Sequence, residues 1–84
     1  MYKVFLTNEA QKNIKKLPKN IVENVKNVAK EIAKSPYDCA KSLRGILKGQ
    51  YSYRIGAYRL IYIIAREEKS VYILYIRHRK DVYR

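Results

Sequence analysis

Arginine stands at positions 54, 59, 77 and 79, in stretches otherwise dominated by tyrosine, isoleucine and leucine. A guanidinium is a planar, permanently charged fork that grips a phosphate through two hydrogen bonds, whereas a lysine ammonium is a mobile, hydrated point charge. The tail Arg77-His78-Arg79-Lys80-Asp81-Val82-Tyr83-Arg84 adds a histidine, which titrates near neutral pH, and a tyrosine, which can carry a proton or present a flat ring to an unpaired base. Metal-free cleavage of RNA needs such a set. A base draws the proton from the ribose 2′-hydroxyl, cations stabilise the pentacoordinate phosphate, and an acid protonates the departing 5′-oxygen. Arg54, Arg59 and Arg79 are the candidate cations, and His78 and Tyr83 the candidate proton carriers.

The charge of the whole chain points the same way. Its 84 residues hold 19 Lys and Arg against 7 Asp and Glu, a formal net charge of +12. Such an excess on a small domain implies a polyanionic partner: nucleic acid, an acidic protein or an anionic membrane. The first 40 residues carry 8 Lys and 4 acids, whereas residues 41–84 carry 4 Lys, all 7 Arg and 3 acids. The N-terminal lysines read as solvated helix faces. The arginines read as functional because they recur inside apolar strand patterns. For Arg59 the plain alternative is a structural ion pair, for which few acids are at hand. For His78 it is a solvated tail residue.

Other chemistries lack their residues. One cysteine, Cys39, and one histidine rule out an internal disulfide and a zinc cluster, so neither metal nor cofactor is expected. The three glycines form no phosphate-cradling loop, and there is no serine nucleophile elbow. A domain of this size buries about 60–65% of the surface of its unfolded chain, so any chemistry belongs on a surface or in a shallow groove. The longest apolar runs, residues 60–65 and 71–76, are too short to span a bilayer. The N-terminus turns polar too soon for a signal peptide, so the expected location is the cytoplasm, away from membranes.

The elements that must position these residues follow from periodicity. Residues 2–6 read as a short strand. Thr7 or Asn8 can cap a helix with Glu9 in its first turn, and Ala10, Ile14 and Leu17 form its apolar stripe. Pro18 breaks that helix and can occupy the first turn of the next. There Ile21, Val22, Val25, Val28, Ala29 and Ile32 make one face, while Lys26, Lys30 and Lys34 meet water. Ser35-Pro36 ends the pair, and residues 37–48 form a connection.

From Gln50 onward the period is two. Tyr51, Tyr53 and Ile55 share one face, and Ser52 and Arg54 the other. Gly56-Ala57 is a two-residue hairpin turn. In residues 58–65, Tyr58, Leu60, Tyr62 and Ile64 oppose Arg59, Ile61 and Ile63. Residues 71–76 form the last strand. Tyr51, Tyr53 and Tyr62 read as core. The order β-α-α-β-β-β predicts a single α+β domain over residues 1–84, with two N-terminal helices packed on one face of a small antiparallel sheet. The other face is left partly open for function.

Ordered along nearly the whole chain stand Lys16-Leu17-Pro18, Ser35-Pro36, Lys41-Ser42-Leu43-Arg44-Gly45, Tyr53-Arg54-Ile55-Gly56-Ala57-Tyr58-Arg59-Leu60-Ile61-Tyr62 and His78-Arg79-Lys80-Asp81-Val82-Tyr83. This set resembles the RelE/ParE superfamily of bacterial and archaeal type II toxins, and in particular its RelE-type members. The resemblance implies an endoribonuclease that cuts mRNA in the ribosomal A site without a metal, inhibits translation and is neutralised by a cognate RelB-like antitoxin. By motif, Arg59 matches the arginine that contacts the scissile phosphate, Arg54 a basic position on the neighbouring strand, and Arg79 the basic residue of the final motif. Tyr83 matches a tyrosine used in acid–base or stacking work, and His78 the His-Arg form of many members. Arg44, Arg77, Lys80 and Ser52 are the expected RNA-contacting positions. Ser52 stands where some RelE toxins carry a second lysine, which Lys80 or Arg77 can replace. The non-enzymatic alternative is a ParE-like inhibitor that binds DNA gyrase, and a third reading is a generic basic RNA-binding domain.

Overall fold

Thr7 starts the first helix and fastens it to the sheet. Its hydroxyl accepts the Ala10 amide at 3.2 Å, satisfying a donor that the first helical turn leaves free, and donates to the Leu74 carbonyl at 2.6 Å. The computed structural model describes residues 1–42 and 49–80. Strand β1 spans Lys3–Leu6, and helices α1 and α2 span Asn8–Lys16 and Lys19–Lys34. Glu9 in the first turn of α1 and Lys15 and Lys16 in its last oppose the helix dipole favourably. Pro18 is the N-cap of α2 rather than part of its first turn. Val25, Val28 and Ile32 are the buried residues of α2, and Lys26, Lys30 and Lys34 are exposed, as the period-3.6 pattern requires.

The remaining strands are β2 (Lys41–Ser42), β3 (Gln50–Ile55), β4 (Tyr58–Ala65) and β5 (Ser70–His78), in the spatial order β1-β5-β4-β3-β2. The α+β class and the helix pair on one sheet face are as the sequence predicts, with two differences of detail. First, β1 lies parallel to β5, so the sheet is mixed. The chain leaves β1 through both helices before returning, and a crossover of that length allows parallel pairing. Second, β2 adds a fifth strand within the expected connection, pairing Lys41 with Ser52 and Ser42 with Tyr51. Two exposed polar residues carry no alternation by which to recognise it.

The β3–β4 hairpin turns at Gly56-Ala57, with Ile55 opposite Tyr58. Gly56 has φ +58, and Ala57 is not left-handed, the pattern of a type II′ turn that glycine adopts without steric cost. On β5 the pairing shifts from Ile61–Tyr75 to Tyr62–Ile73, which leaves Leu74 as a bulged residue.

The core lies between the helices and one sheet face, where Ala10, Val25, Val28 and Ile32 meet Leu60, Tyr62, Val71, Ile73 and Ile76. Tyr62 is fully buried, stacks on Tyr51 at 5.3 Å and donates to the Pro36 carbonyl at 2.6 Å, with the Cys39 sulfur 3.6 Å from its oxygen. Burial, and then the Cys39 contact, push its phenol well above the ordinary tyrosine value. Tyr53 donates to Glu31 on α2 at 2.7 Å, and that bond raises its phenol too.

Candidate functional site

The strand registers bring three arginines into one row. Arg54 on β3 lies opposite Arg59 on β4, and Arg59 lies opposite Arg77 on β5. Opposed residues of antiparallel strands have Cα atoms about 4.5–5.5 Å apart and project to the same face. Here that is the face away from the helices. Like charges opposed in this way weaken a sheet, by up to about 1 kcal/mol per pair. Arg54 is exposed, whereas Arg59 and Arg77 are half-buried.

Each inner arginine has a neighbour that orients it. Arg59 Nη1 donates to Ser52 Oγ at 3.4 Å, and Ser52 itself is buried. Arg77 Nη2 lies 3.4 Å from Glu9 Oε2 on α1, and its guanidinium sits 4.0 Å above the ring of Tyr75. Glu9 is held below the usual carboxylate range, chiefly by a hydrogen bond from Asn13 and also by Arg77. The next row of the same face is Ser52, Ile61 and Tyr75, and the one after it Gln50, Ile63, Tyr72 and Phe5. Phe5 stacks on Tyr72 at 5.5 Å. The face is therefore cationic at one end and aromatic at the other.

The other candidates fall elsewhere. His78 lies opposite Tyr58, whose ring it meets edge-on at 5.6 Å, so it shares the side of Tyr58 rather than that of the row. Its Nδ1 accepts the Lys80 amide at 3.3 Å. Arg79 and Lys80 follow the end of β5 and are exposed, and the Arg79 amide donates to Ala57, tying the tail to the hairpin turn. Arg44 and Tyr83 lie outside the described residues. Thus Arg54, Arg59 and Ser52 lie together with Arg77, whereas Arg79, Lys80 and His78 lie around the end of the sheet. Two neighbours of the row escaped the sequence reading. Tyr75 was available from its parity with Arg77 along one strand. Glu9 gave no signal beyond its place at a helix start.

A second surface differs in kind. Two apolar grooves of about 380 and 340 Å³ run beside β1 and α2, sharing Val4 and Ala29 and bordered by Lys26, Lys30 and Lys34. Met1 and Leu6, two of the exposed large apolar side chains, line these grooves. No helix among the described residues is long and apolar enough to cross a membrane, and none of their acidic, histidine or cysteine side chains gather into a metal-binding group.

Comparison with known proteins agrees with this fold. A protein from Mycobacterium tuberculosis named Toxin RelG is 39% identical over 84 residues, covering 99% of this chain and 97% of its own. Toxin RelE of the same organism is 33% identical and covers 99% and 87%. Among solved structures, the RelBE2 toxin–antitoxin complex of M. tuberculosis contains a chain that superimposes with a TM-score of 0.85 at 37% identity, covering 92% of this chain and 96% of that one. The isolated RelE toxin of Escherichia coli superimposes with a TM-score of 0.83 at 26% identity, covering 93% and 84%. The family profile described as the ParE toxin of type II toxin–antitoxin systems matches residues 4–83, and the chain belongs to this RelE/ParE superfamily of toxins.

Proposed function

We propose that this toxin is a ribosome-dependent mRNA endoribonuclease whose arginine row receives the scissile phosphate. The row itself carries the proposal: three guanidiniums aligned on three neighbouring strands, of which Glu9 meets only Arg77 among the described residues, weaken the sheet unless a further anion meets them. In the reaction the 2′-oxygen attacks phosphorus and gives its proton to a base. The bond from phosphorus to the 5′-oxygen breaks, and that oxygen takes a proton from an acid. The products are a 2′,3′-cyclic phosphate and a 5′-hydroxyl, and no metal takes part. Arg59 and Arg77 oppose the charge that builds on the phosphoryl oxygens, with Arg54 at the exposed end of the row. Ser52 orients Arg59 where a lysine would have contacted RNA directly. His78, Arg79, Lys80 and Tyr83, with Arg44, are assigned to the surrounding RNA and to proton transfer.

The partner that restrains it is a RelB-like antitoxin in the cytoplasm. The apolar grooves edged with lysines fit an amphipathic, acidic segment of such a protein. Toxin–antitoxin complexes named RelBE2 and RelBE among the structural neighbours support this assignment.

Primer extension on a defined mRNA, translated with and without the purified protein, tests the activity. New ends at in-frame positions, seen only with ribosomes and lost in Arg59→Ala, are the expected result. Intact mRNA alongside growth arrest favours the second reading, a non-catalytic gyrase inhibitor, which the ParE name of the matching profile keeps in view. Inhibition of gyrase supercoiling by the purified protein is then the deciding assay.

A further inference from the structure

We propose that Glu9 and Asn13, both on α1, are positioning residues that set Arg77 for contact with the phosphate. The proposal rests on the endoribonuclease reading. β1 ends at Leu6, opposite Ile73, so the stretch of β5 that carries Arg77 has no strand beside it on that edge. Helix α1 takes its place. Asn13 Oδ1 accepts the Ile76 amide at 2.9 Å, which fixes the backbone one residue before Arg77. The amide nitrogen of the same Asn13 side chain donates to Glu9 Oε2 at 3.2 Å, and Arg77 Nη2 meets that oxygen at 3.4 Å. Tyr75 supports the guanidinium from beneath at 4.0 Å. One asparagine therefore registers both the backbone and, through Glu9, the side chain of Arg77.

An arginine left free must be ordered when phosphate arrives, and small misplacements of a catalytic group slow a reaction steeply. A guanidinium has five N–H donors, so one bond to Glu9 leaves others for a phosphate. The pair is 38% and 50% exposed, and ion pairs as open as this contribute little to stability. Its removal should leave the fold standing while loosening Arg77. Among the described residues Glu9 is the carboxylate that touches the row.

The experiment combines single-turnover cleavage of mRNA on programmed ribosomes with 15N NMR of the arginine side chains. Arg77 is assigned by the signal lost in Arg77→Lys. Glu9→Ala should lower the maximal rate about tenfold while half-saturation stays constant, as for a group that acts after binding. Glu9→Gln keeps an acceptor for both Asn13 and Arg77 and should recover most of that rate. The Arg77 Nε–H signal should be slow to exchange with solvent in the parent and in Glu9→Gln, and fast in Glu9→Ala. Asn13→Ala should behave as Glu9→Ala does, and melting curves check its fold.

A Glu9→Ala protein with parental rate and parental Arg77 exchange overturns the proposal. So does an equal loss in Gln and Ala with the acid limb of the pH profile abolished, because Glu9 would then be a proton carrier. Tighter RNA binding at an unchanged maximal rate would show that Glu9 only offsets charge, and also overturns it. If the parent protein cuts no RNA, the endoribonuclease reading fails by itself, and the exchange measurement still decides whether Glu9 orders Arg77.

Discussion

The two faces of the sheet use similar residues for opposite ends. On the helix side, Tyr62 buries its ring, Tyr53 packs half-buried against the core, and their hydroxyls bond to Pro36 and Glu31. On the far side, Arg54, Arg59 and Arg77 stand in a row with one carboxylate among the described residues, Glu9, beside it. The first face has its polar groups matched from within, as a folded core requires. Among the described residues the second carries three guanidiniums and one carboxylate, an excess of positive charge that an outside anion can match. Arg59 and Leu60 are neighbours in the chain, yet one lies on the face proposed to meet RNA and the other is buried in the core.

That contrast is sharpest where neighbours are exchanged. Arg59→Ala should lower the single-turnover cleavage rate by roughly 10²–10³-fold, the usual loss when one transition-state donor is removed, with the melting temperature nearly unchanged. Leu60→Ala should act the other way. Leu60 is fully buried, so urea unfolding should register a loss of about 2–5 kcal/mol, while the molecules that remain folded keep their activity. A stability loss in Arg59→Ala as large as that in Leu60→Ala would break the comparison.

Tyr62→Phe tests how the inner face satisfies its polar groups. It removes the bond to Pro36 and leaves that carbonyl without its donor, for a loss of about 1–3 kcal/mol. It also changes the alkaline limb. The Tyr62 phenol is raised in the fold, so above about pH 10 the unfolded chain ionises there while the folded chain keeps its proton, and stability falls as pH rises. Tyr53 and Tyr72, raised by Glu31 and Glu68, add to the same slope. Unfolding followed from pH 8 to 11 should therefore be less steep in Tyr62→Phe. The smallest effect belongs to Arg54→Ala at the exposed end of the row. It should reduce the slope of log affinity against log salt by about 0.7 for a single-stranded oligonucleotide, as for one lost phosphate contact.

Much of this was legible before any coordinates. The period of two placed Arg54 and Arg59 on the face opposite Tyr53 and Leu60, and the hairpin at Gly56-Ala57 put them in register. The helix pair followed from the spacing of Val25, Val28 and Ile32. The position of Arg77 relative to Arg59 was not legible, because the bulge at Leu74 shifts the register of β5 by a residue that no local pattern announces. The parallel pairing of β1 is likewise a long-range fact, fixed where Thr7 meets Ile73 and Leu74. Glu9 escaped for a related reason: its partner lies 68 residues away. An acid at a helix start reads as a dipole effect until the sheet is beside it.

In the proposed reading RNA meets the arginine face rather than the helix pair. The most direct test is an amide NMR titration of the protein with a short RNA made uncleavable by 2′-O-methylation. Shifts should centre on Ser52, Arg54, Arg59, Tyr75 and Arg77 and weaken as salt is raised, with Val25, Val28 and Ile32 unmoved. Shifts centred on the helix pair, or none at any RNA concentration, would contradict it.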